Sequence, residues 1–126
     1  IDAEQPTVMA MLECYEPSLV AWRILSRVAH AFMTVDEASA PEVMNRLGRP
    51  IGTDPAIVSG ESGGAGLAAL VAALAAPKAR EQLGLDAESR VLLFNTEGAT
   101  DRDLYTRLTQ LDPDRVVASR RAAAPV

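Results

Sequence analysis

The 126-residue chain has little of the side-chain chemistry on which many enzymes depend. It has one cysteine and one histidine, and eleven of its twelve cationic residues are arginine, which leaves Lys78 as the only lysine. The single cysteine, Cys14, excludes a disulfide framework and a cysteine-based zinc site, and it suits a reducing, cytoplasmic compartment. A mechanism that needs a catalytic lysine or a pair of histidines therefore has at most one candidate for each.

Other shortages exclude further classes of protein. Two Phe, two Tyr and one Trp predict an aliphatic, alanine-rich core, and a 48% hydrophobic content is not that of a disordered chain. No apolar stretch reaches the roughly 18 residues of a membrane-spanning helix. A net charge of −5 is unlike that of a nucleic-acid-binding protein. The first six residues lack the basic and apolar regions of a secretory signal, so we expect none.

Hydrophobic spacing predicts helices that alternate with short strands. The helical segments are residues 17–30, 40–47, 67–74, 79–83 and 104–111. In the first of them, Trp22, Leu25 and Val28 recur at helical spacing on a single face, and Phe32 continues the pattern. Short apolar runs predict strands at residues 32–35, 57–59 and 91–94. The alternation predicts a single α/β domain over residues 1–126, with a mostly parallel sheet and helices on both faces. Residues 118–126, rich in alanine and arginine, are expected to fray.

Two loops follow predicted strands, where parallel sheets bind their ligands. Residues 60–66 contain four of the eight glycines and lead into a helix, so they could cradle an anion or form a tight turn against the sheet. The charge of Glu61 would repel a phosphate. Residues 95–101 carry hydroxyl and carboxylate groups: Thr96 could hydrogen-bond a ligand ring, and Thr100 or Asp101 could cap the next helix.

Four other features have alternative interpretations. Residues 64–69 fit the dinucleotide-binding pattern G-x-G-x-x-A, but Asp86 follows a helix instead of ending a second strand, which argues against it. His30 lies near a helix C-terminus, where it would favour the helix dipole. Cys14 is expected to be buried filler. Lys78 lies among polar residues at a solvated helix start and not in the apolar pocket that would activate it.

Several motifs together resemble one enzyme family, over about residues 7–110. They are Thr-Val-Met-Ala at residues 7–10, Glu-Pro at 16–17, Ser-Gly-Glu-Ser-Gly at 59–63 and Asn-Thr-Glu-Gly-Ala-Thr-Asp at 95–101. Their order and spacing are similar to those of diaminopropionate ammonia-lyases, pyridoxal-phosphate (PLP) enzymes of fold type II in the tryptophan synthase β/threonine dehydratase group. Residues 11–15, Met-Leu-Glu-Cys-Tyr, depart from the Gly-Leu-Ala-Cys-Gly expected of that family.

The resemblance implies that this chain is the C-terminal part of a larger, homodimeric PLP enzyme. The family's Schiff-base lysine, phosphate loop and acidic groups lie before the matched region, so no catalytic residue is expected here and the fragment is expected to be inactive. Thr96 matches the hydroxyl residue that faces the pyridine nitrogen, and Glu61, Ser62 and Gly63 match the loop beside the ring. The implied reaction is an α,β-elimination that converts 2,3-diaminopropionate to pyruvate and ammonia. A serine/threonine dehydratase-like portion and a non-catalytic α/β ligand-binding domain are the alternatives.

Overall fold

The computed structural model describes residues 6–123, and their side chains through residue 119. A short 3-10 helix, Ala10–Leu12, precedes six α-helices in this part of the chain. In chain order they are α1 (Leu19–Val28), α2 (Ser39–Gly48), α3 (Ala65–Ala75), α4 (Pro77–Gln82), α5 (Arg102–Thr109) and α6 (Pro113–Ala123). The five predicted helical segments correspond to α1–α5. None of these described helices is long and apolar enough to cross a lipid bilayer.

Local signals in the sequence account for where the helices begin and end. The Ser18 hydroxyl accepts a hydrogen bond from the N–H of Ala21 at 3.3 Å, and the Asp101 carboxylate accepts one from the N–H of Leu104 at 2.8 Å. Each bond satisfies an N–H group that has no partner within its own helix. Helix α5 ends at Gln110, whose φ of 58° lies in the left-handed region. The helix cap predicted at residues 100–101 is therefore Asp101.

The core lies where α2 packs against α3 and α5. Met44 and Tyr105 are completely buried and Val43 is 1% exposed. Burial of a side chain of this size contributes about 1.5–3 kcal/mol. Desolvation raises the pKa of Tyr105, because burial disfavours the phenolate. At the end of α2, the Arg49 guanidinium donates to the Thr109 carbonyl at 2.9 Å, which joins α2 to the end of α5.

The predicted parallel sheet is not formed within residues 6–123. Residues 32–35, 57–59 and 91–94 lie outside the helices, but none of them is a strand. A strand requires a ladder of backbone hydrogen bonds with a neighbour. Residues 91–94 make no such bond to another segment of the described chain, and residue 57 makes a single bond to the carbonyl of Leu47 at 2.8 Å. The apolar runs were identified correctly, but the pairing inferred from them is absent here.

The apolar face expected of α1 is not buried. Trp22 is 54% exposed, Leu25 and Val28 are also exposed, and Phe32, which lies beyond the end of α1, is exposed as well. The chain has an accessible surface of 9840 Å², whereas a compact monomer of 13.4 kDa exposes about 6,500 Å². Helix α1 therefore has the amphipathic pattern of a packed helix but no packing partner among the described residues.

The ends of the chain are described only in part. Helix α6 continues to Ala123 and so includes residues 118–123 of the segment that was expected to fray. Residues 1–5 and 124–126 lie outside the described residues, and with them most of the segment searched for a secretory signal.

Candidate functional site

The two loops singled out in the sequence lie against each other. The N–H of Gly60 donates to the carbonyl of Glu97 at 2.9 Å. The side-chain amide of Asn95 donates to the carbonyl of Val58 at 3.3 Å, and the Ser59 hydroxyl lies 3.2 Å from the Asn95 amide oxygen. The turn before α3 and the loop before α5 therefore form one continuous junction. They meet although no sheet aligns them in this part of the chain.

The carboxylate of Glu97 is at the centre of this junction. Its Oε2 accepts hydrogen bonds from the N–H of Ser62 at 2.8 Å and the N–H of Gly63 at 3.3 Å. Its Oε1 accepts a hydrogen bond from the Thr100 hydroxyl at 3.2 Å. Bonds to an ionised acceptor are about twice as strong as those between neutral groups. One side chain from the second loop thus fixes the backbone of the first.

This arrangement decides between the two interpretations of the glycine-rich turn. The N–H groups of Ser62 and Gly63 could have cradled a phosphate, but they donate to the carboxylate of Glu97. The turn therefore binds an anion that belongs to the protein. It is a tight turn held by the neighbouring loop and is not an open phosphate cradle.

The glycines of the turn are required by this close approach. A Cβ atom at Gly63 would lie 2.6 Å from the Glu97 carbonyl oxygen and would also clash with the amide oxygen of Asn95. A Cβ atom at Gly60 would lie 2.5 Å from the Gly98 carbonyl oxygen. Both distances are shorter than those that real Cβ atoms adopt, so a larger residue would push the two loops apart.

The residues expected to contact a cofactor differ in their surroundings. Glu61 and Ser62 are each 7% exposed and Gly63 is buried, whereas Thr96 is exposed. The Ser62 hydroxyl oxygen is buried and has no hydrogen-bond partner among the described residues. A buried hydroxyl without a partner costs about 1–3 kcal/mol. The hydroxyl of Tyr105 in the core is likewise buried without a partner, so this feature acquires meaning at Ser62 only from its place in the junction.

An apolar hollow lies beside the junction. It has a volume of about 210 Å³ and is lined by Leu47, Ile57, Gly63, Leu67, Leu93, Phe94 and Asn95. Larger hollows occur elsewhere, including one of about 680 Å³ that is lined by residues 30–33, Ala79, Gln82 and Leu83. That larger hollow contains His30 but no carboxylate, so it lacks an acid–base pair. No group of three or more potential metal ligands occurs among the described residues.

The remaining candidates do not contribute to the junction. Cys14 is exposed and its thiol donates to the Glu16 carbonyl at 3.1 Å, so the prediction that it is buried was wrong. His30 lies two residues beyond the end of α1 and is exposed, and Lys78 is exposed on α4.

The dinucleotide-binding pattern at residues 64–69 does not form the loop that it requires. Gly64 caps α3 and Gly66 lies within that helix, with no strand before them. This placement argues against a dinucleotide site.

Sequence and structure comparisons identify a class of enzyme. No protein-family profile matches the chain. A solved Escherichia coli ammonia lyase, in complex with an aminoacrylate-PLP azomethine reaction intermediate, superposes with a TM-score of 0.75 and 40% sequence identity. The match covers 82% of this chain and 28% of that one. The chain is therefore similar in fold and sequence to part of a PLP-dependent lyase.

The curated relatives are more specific. Diaminopropionate ammonia-lyase of E. coli strain K12 is 39% identical over 108 residues, and that of Salmonella typhimurium strain LT2 is 34% identical over 109. Each match covers 83% of this chain and 27% of the relative. The chain thus spans about a quarter of the length of the relatives that it matches. It is homologous to a segment of the diaminopropionate ammonia-lyases, as the sequence motifs indicated.

Proposed function

We propose that this chain is the C-terminal portion of a PLP-dependent ammonia-lyase that performs α,β-elimination on 2,3-diaminopropionate and yields pyruvate and ammonia. Its role there is to complete one side of the cofactor site. The observation that carries this proposal is the 39% identity over 108 residues to a diaminopropionate ammonia-lyase, together with the turn at Ser62 being joined to the loop of Thr96. Homology to diaminopropionate ammonia-lyases supports the choice of reaction.

The residues at the junction fit a PLP ring. Ser62 offers a buried hydroxyl that lacks a partner, and Thr96 offers an exposed hydroxyl that makes no hydrogen bond within the described chain. Gly63, the one proposed site residue that lines the adjoining and mostly apolar hollow, has no side chain to obstruct a planar ring. Hydroxyl donors beside an apolar surface suit a flat heteroaromatic group.

The chemistry itself would come from the cofactor, which supplies an electron sink for the elimination when it is bound. In this proposal the Thr96 hydroxyl donates a hydrogen bond to the pyridine nitrogen without giving it a charge, so the ring remains a moderate electron sink. Glu61, Ser62 and Gly63 would lie beside the ring, and the Ser62 hydroxyl would hold it in position. No residue of this chain is assigned a proton-transfer role, and Lys78 is not assigned to the cofactor.

The non-helical apolar segments support a larger, sheet-containing enzyme of fold type II. In a strand, Leu92 and Phe94 would share one face and Val91 and Leu93 the other. All four are exposed, by 39% to 77%. A segment that is apolar on both faces is typical of an interior strand of a parallel sheet. We therefore place residues 91–94 in a mostly parallel sheet whose remaining strands come from the rest of the enzyme.

Two further assignments, of the cellular compartment and of the oligomeric state, complete the proposal. The enzyme is placed in the cytoplasm, where Cys14, the single cysteine of this chain, would remain a free thiol. It is placed among homodimers, and light scattering of the purified enzyme would measure its mass directly. A monomeric mass would contradict the second assignment.

A Thr96→Val substitution in the full-length enzyme tests the proposed site. It removes a hydroxyl at nearly constant volume, so the dissociation constant of PLP should rise or the rate of pyruvate formation should fall. Because Thr96 is exposed and makes no hydrogen bond here, the melting temperature should be unchanged. Thr53→Val, at an exposed threonine in the loop after α2, is the matched control. Identical PLP affinity and turnover in the two variants would contradict the assignment of Thr96.

A further inference from the structure

We propose that Glu97 is a positioning residue: its carboxylate fixes the turn at residues 60–63 so that the Ser62 hydroxyl points at the cofactor. This inference rests on the proposed function, because it assumes that the turn contacts PLP. Glu97 itself does not need to touch the cofactor.

The hydrogen bonds of Glu97 account for a positioning role. Oε2 accepts the N–H groups of Ser62 and Gly63, at 2.8 Å and 3.3 Å, and Oε1 accepts the Thr100 hydroxyl at 3.2 Å. The Glu97 carbonyl also accepts the N–H of Gly60 at 2.9 Å. Both carboxylate oxygens are therefore engaged by the protein. The backbone is held on both sides of residue 61.

Fixing the backbone of Ser62 also restricts its hydroxyl. A serine side chain has one rotatable carbon–carbon bond, so a fixed Cα leaves three staggered positions for the oxygen. The oxygen is buried, so the packing around the turn limits which of these positions it can take, and that packing depends on where the turn is held. Fixing the turn in advance removes an ordering cost that cofactor binding would otherwise bear.

The reach of the side chain matters in this role more than its charge. Aspartate keeps the charge but is one methylene shorter, so it cannot bond both N–H groups from the same backbone position. Glutamine keeps the reach: its amide oxygen can accept the two N–H groups while its amide nitrogen donates to the Thr100 hydroxyl. A role that depended on the charge of Glu97 near the ring would give the opposite order of effects.

The test is a double-mutant cycle in the full-length enzyme, with Glu97→Asp and Ser62→Ala alone and combined. The readouts are the dissociation constant of PLP from the apoenzyme, followed by the absorbance of the bound cofactor, and the melting temperature. We expect about a fivefold loss of PLP affinity for each single variant, the size of one ordinary hydrogen bond. The combined variant should also lose about fivefold, because the two residues act as one unit. Glu97→Gln should lose less than Glu97→Asp.

The control is Glu88→Asp, which makes the same change at an exposed glutamate and should leave PLP affinity unaltered. A combined loss near the product of the single losses would overturn the positioning role while leaving the cofactor site in place. A larger loss for Glu97→Gln than for Glu97→Asp would also overturn it, in favour of a role for the charge. An unchanged PLP affinity in Ser62→Ala alone would instead remove Ser62 from the proposed site, and the inference would fall with it.

Discussion

Replacing Gly63 with alanine should separate the two loops that form the candidate site. The new Cβ would lie 2.6 Å from the Glu97 carbonyl oxygen, about 0.8 Å short of an ordinary 3.4 Å contact, and it would also meet the Asn95 amide oxygen. Neither neighbour can withdraw freely, because one is backbone and the other belongs to a side chain that is hydrogen-bonded to Val58 and Ser59. The turn or the loop must therefore move.

The expected cost combines strain with lost hydrogen bonds. Overpacking at a close contact costs about 1–3 kcal/mol. A shift of the turn also lengthens the bonds from Ser62 and Gly63 to the Glu97 carboxylate, although partial exposure to water reduces what they contribute. We expect Gly63→Ala to destabilise the protein by about 2–3 kcal/mol. With an m-value of about 2 kcal/mol per molar urea, the midpoint should fall by roughly 1–1.5 M.

Two other glycines provide matched controls. At Gly66, within α3, a Cβ would lie 3.6 Å from a Leu93 methyl group, and at Gly98 it would meet no atom within 4 Å. Gly66→Ala should stabilise the chain by about 0.5–1 kcal/mol, because alanine is favoured in a helix. Urea unfolding of the 126-residue chain, followed by circular dichroism, measures all three variants. An equal midpoint for Gly63→Ala and Gly98→Ala would refute the argument from close approach.

Three further predictions concern other parts of the chain. Asp101→Ala should destabilise the protein by about 1 kcal/mol in urea unfolding, because it removes the cap of α5; an unchanged midpoint would contradict this. The 126-residue chain alone should show no lyase activity and no stoichiometric labelling by PLP and borohydride, since Lys78 is exposed and assigned no catalytic role; turnover with labelling confined to Lys78 would contradict it. Hydrogen bonds from Thr7 and Val8 lower the pKa of Glu37, so these contacts should persist above its unfolded-state pKa and be lost as pH falls through the lowered value. The amide shift of Val8 in an NMR titration reports this loss, and a shift that does not change between pH 7 and pH 2 would refute it.

The helices were predictable because their signals are local. Pro77 ends α3 and begins α4, and Asp101 caps α5, each through atoms only a few residues away. A sheet depends on partners elsewhere in the chain, and apolar content alone cannot say whether those partners are present. The strand at residues 91–94 was predicted from its apolar composition. That composition indicates that the segment needs to be buried, but it does not show that this chain supplies the neighbours that would bury it.

The candidate site was predictable only in outline. Its two loops were recognised because each follows an apolar run, but the contribution of Glu97 was missed. Glu97 is 35 residues from Ser62, and no spacing rule links a carboxylate to N–H groups so far away in sequence. The charge of Glu61 in the turn argued against phosphate, but it would disfavour a second carboxylate there as well, so it did not point to Glu97.

This chain holds the two loops of the proposed cofactor site in place, but it does not shield the neighbouring residues from water. The junction is held by hydrogen bonds within the chain, from Ser62 and Gly63 to Glu97 and from Asn95 to Val58. The neighbouring apolar residues 91–94 remain exposed, so water has access to this segment beside the junction. A hydrogen bond to a ligand is weaker in a solvated site than in a dry one, because water competes for both groups. Covering residues 91–94 with the rest of the enzyme should therefore strengthen the hydrogen bond proposed for the exposed Thr96 hydroxyl without moving the turn.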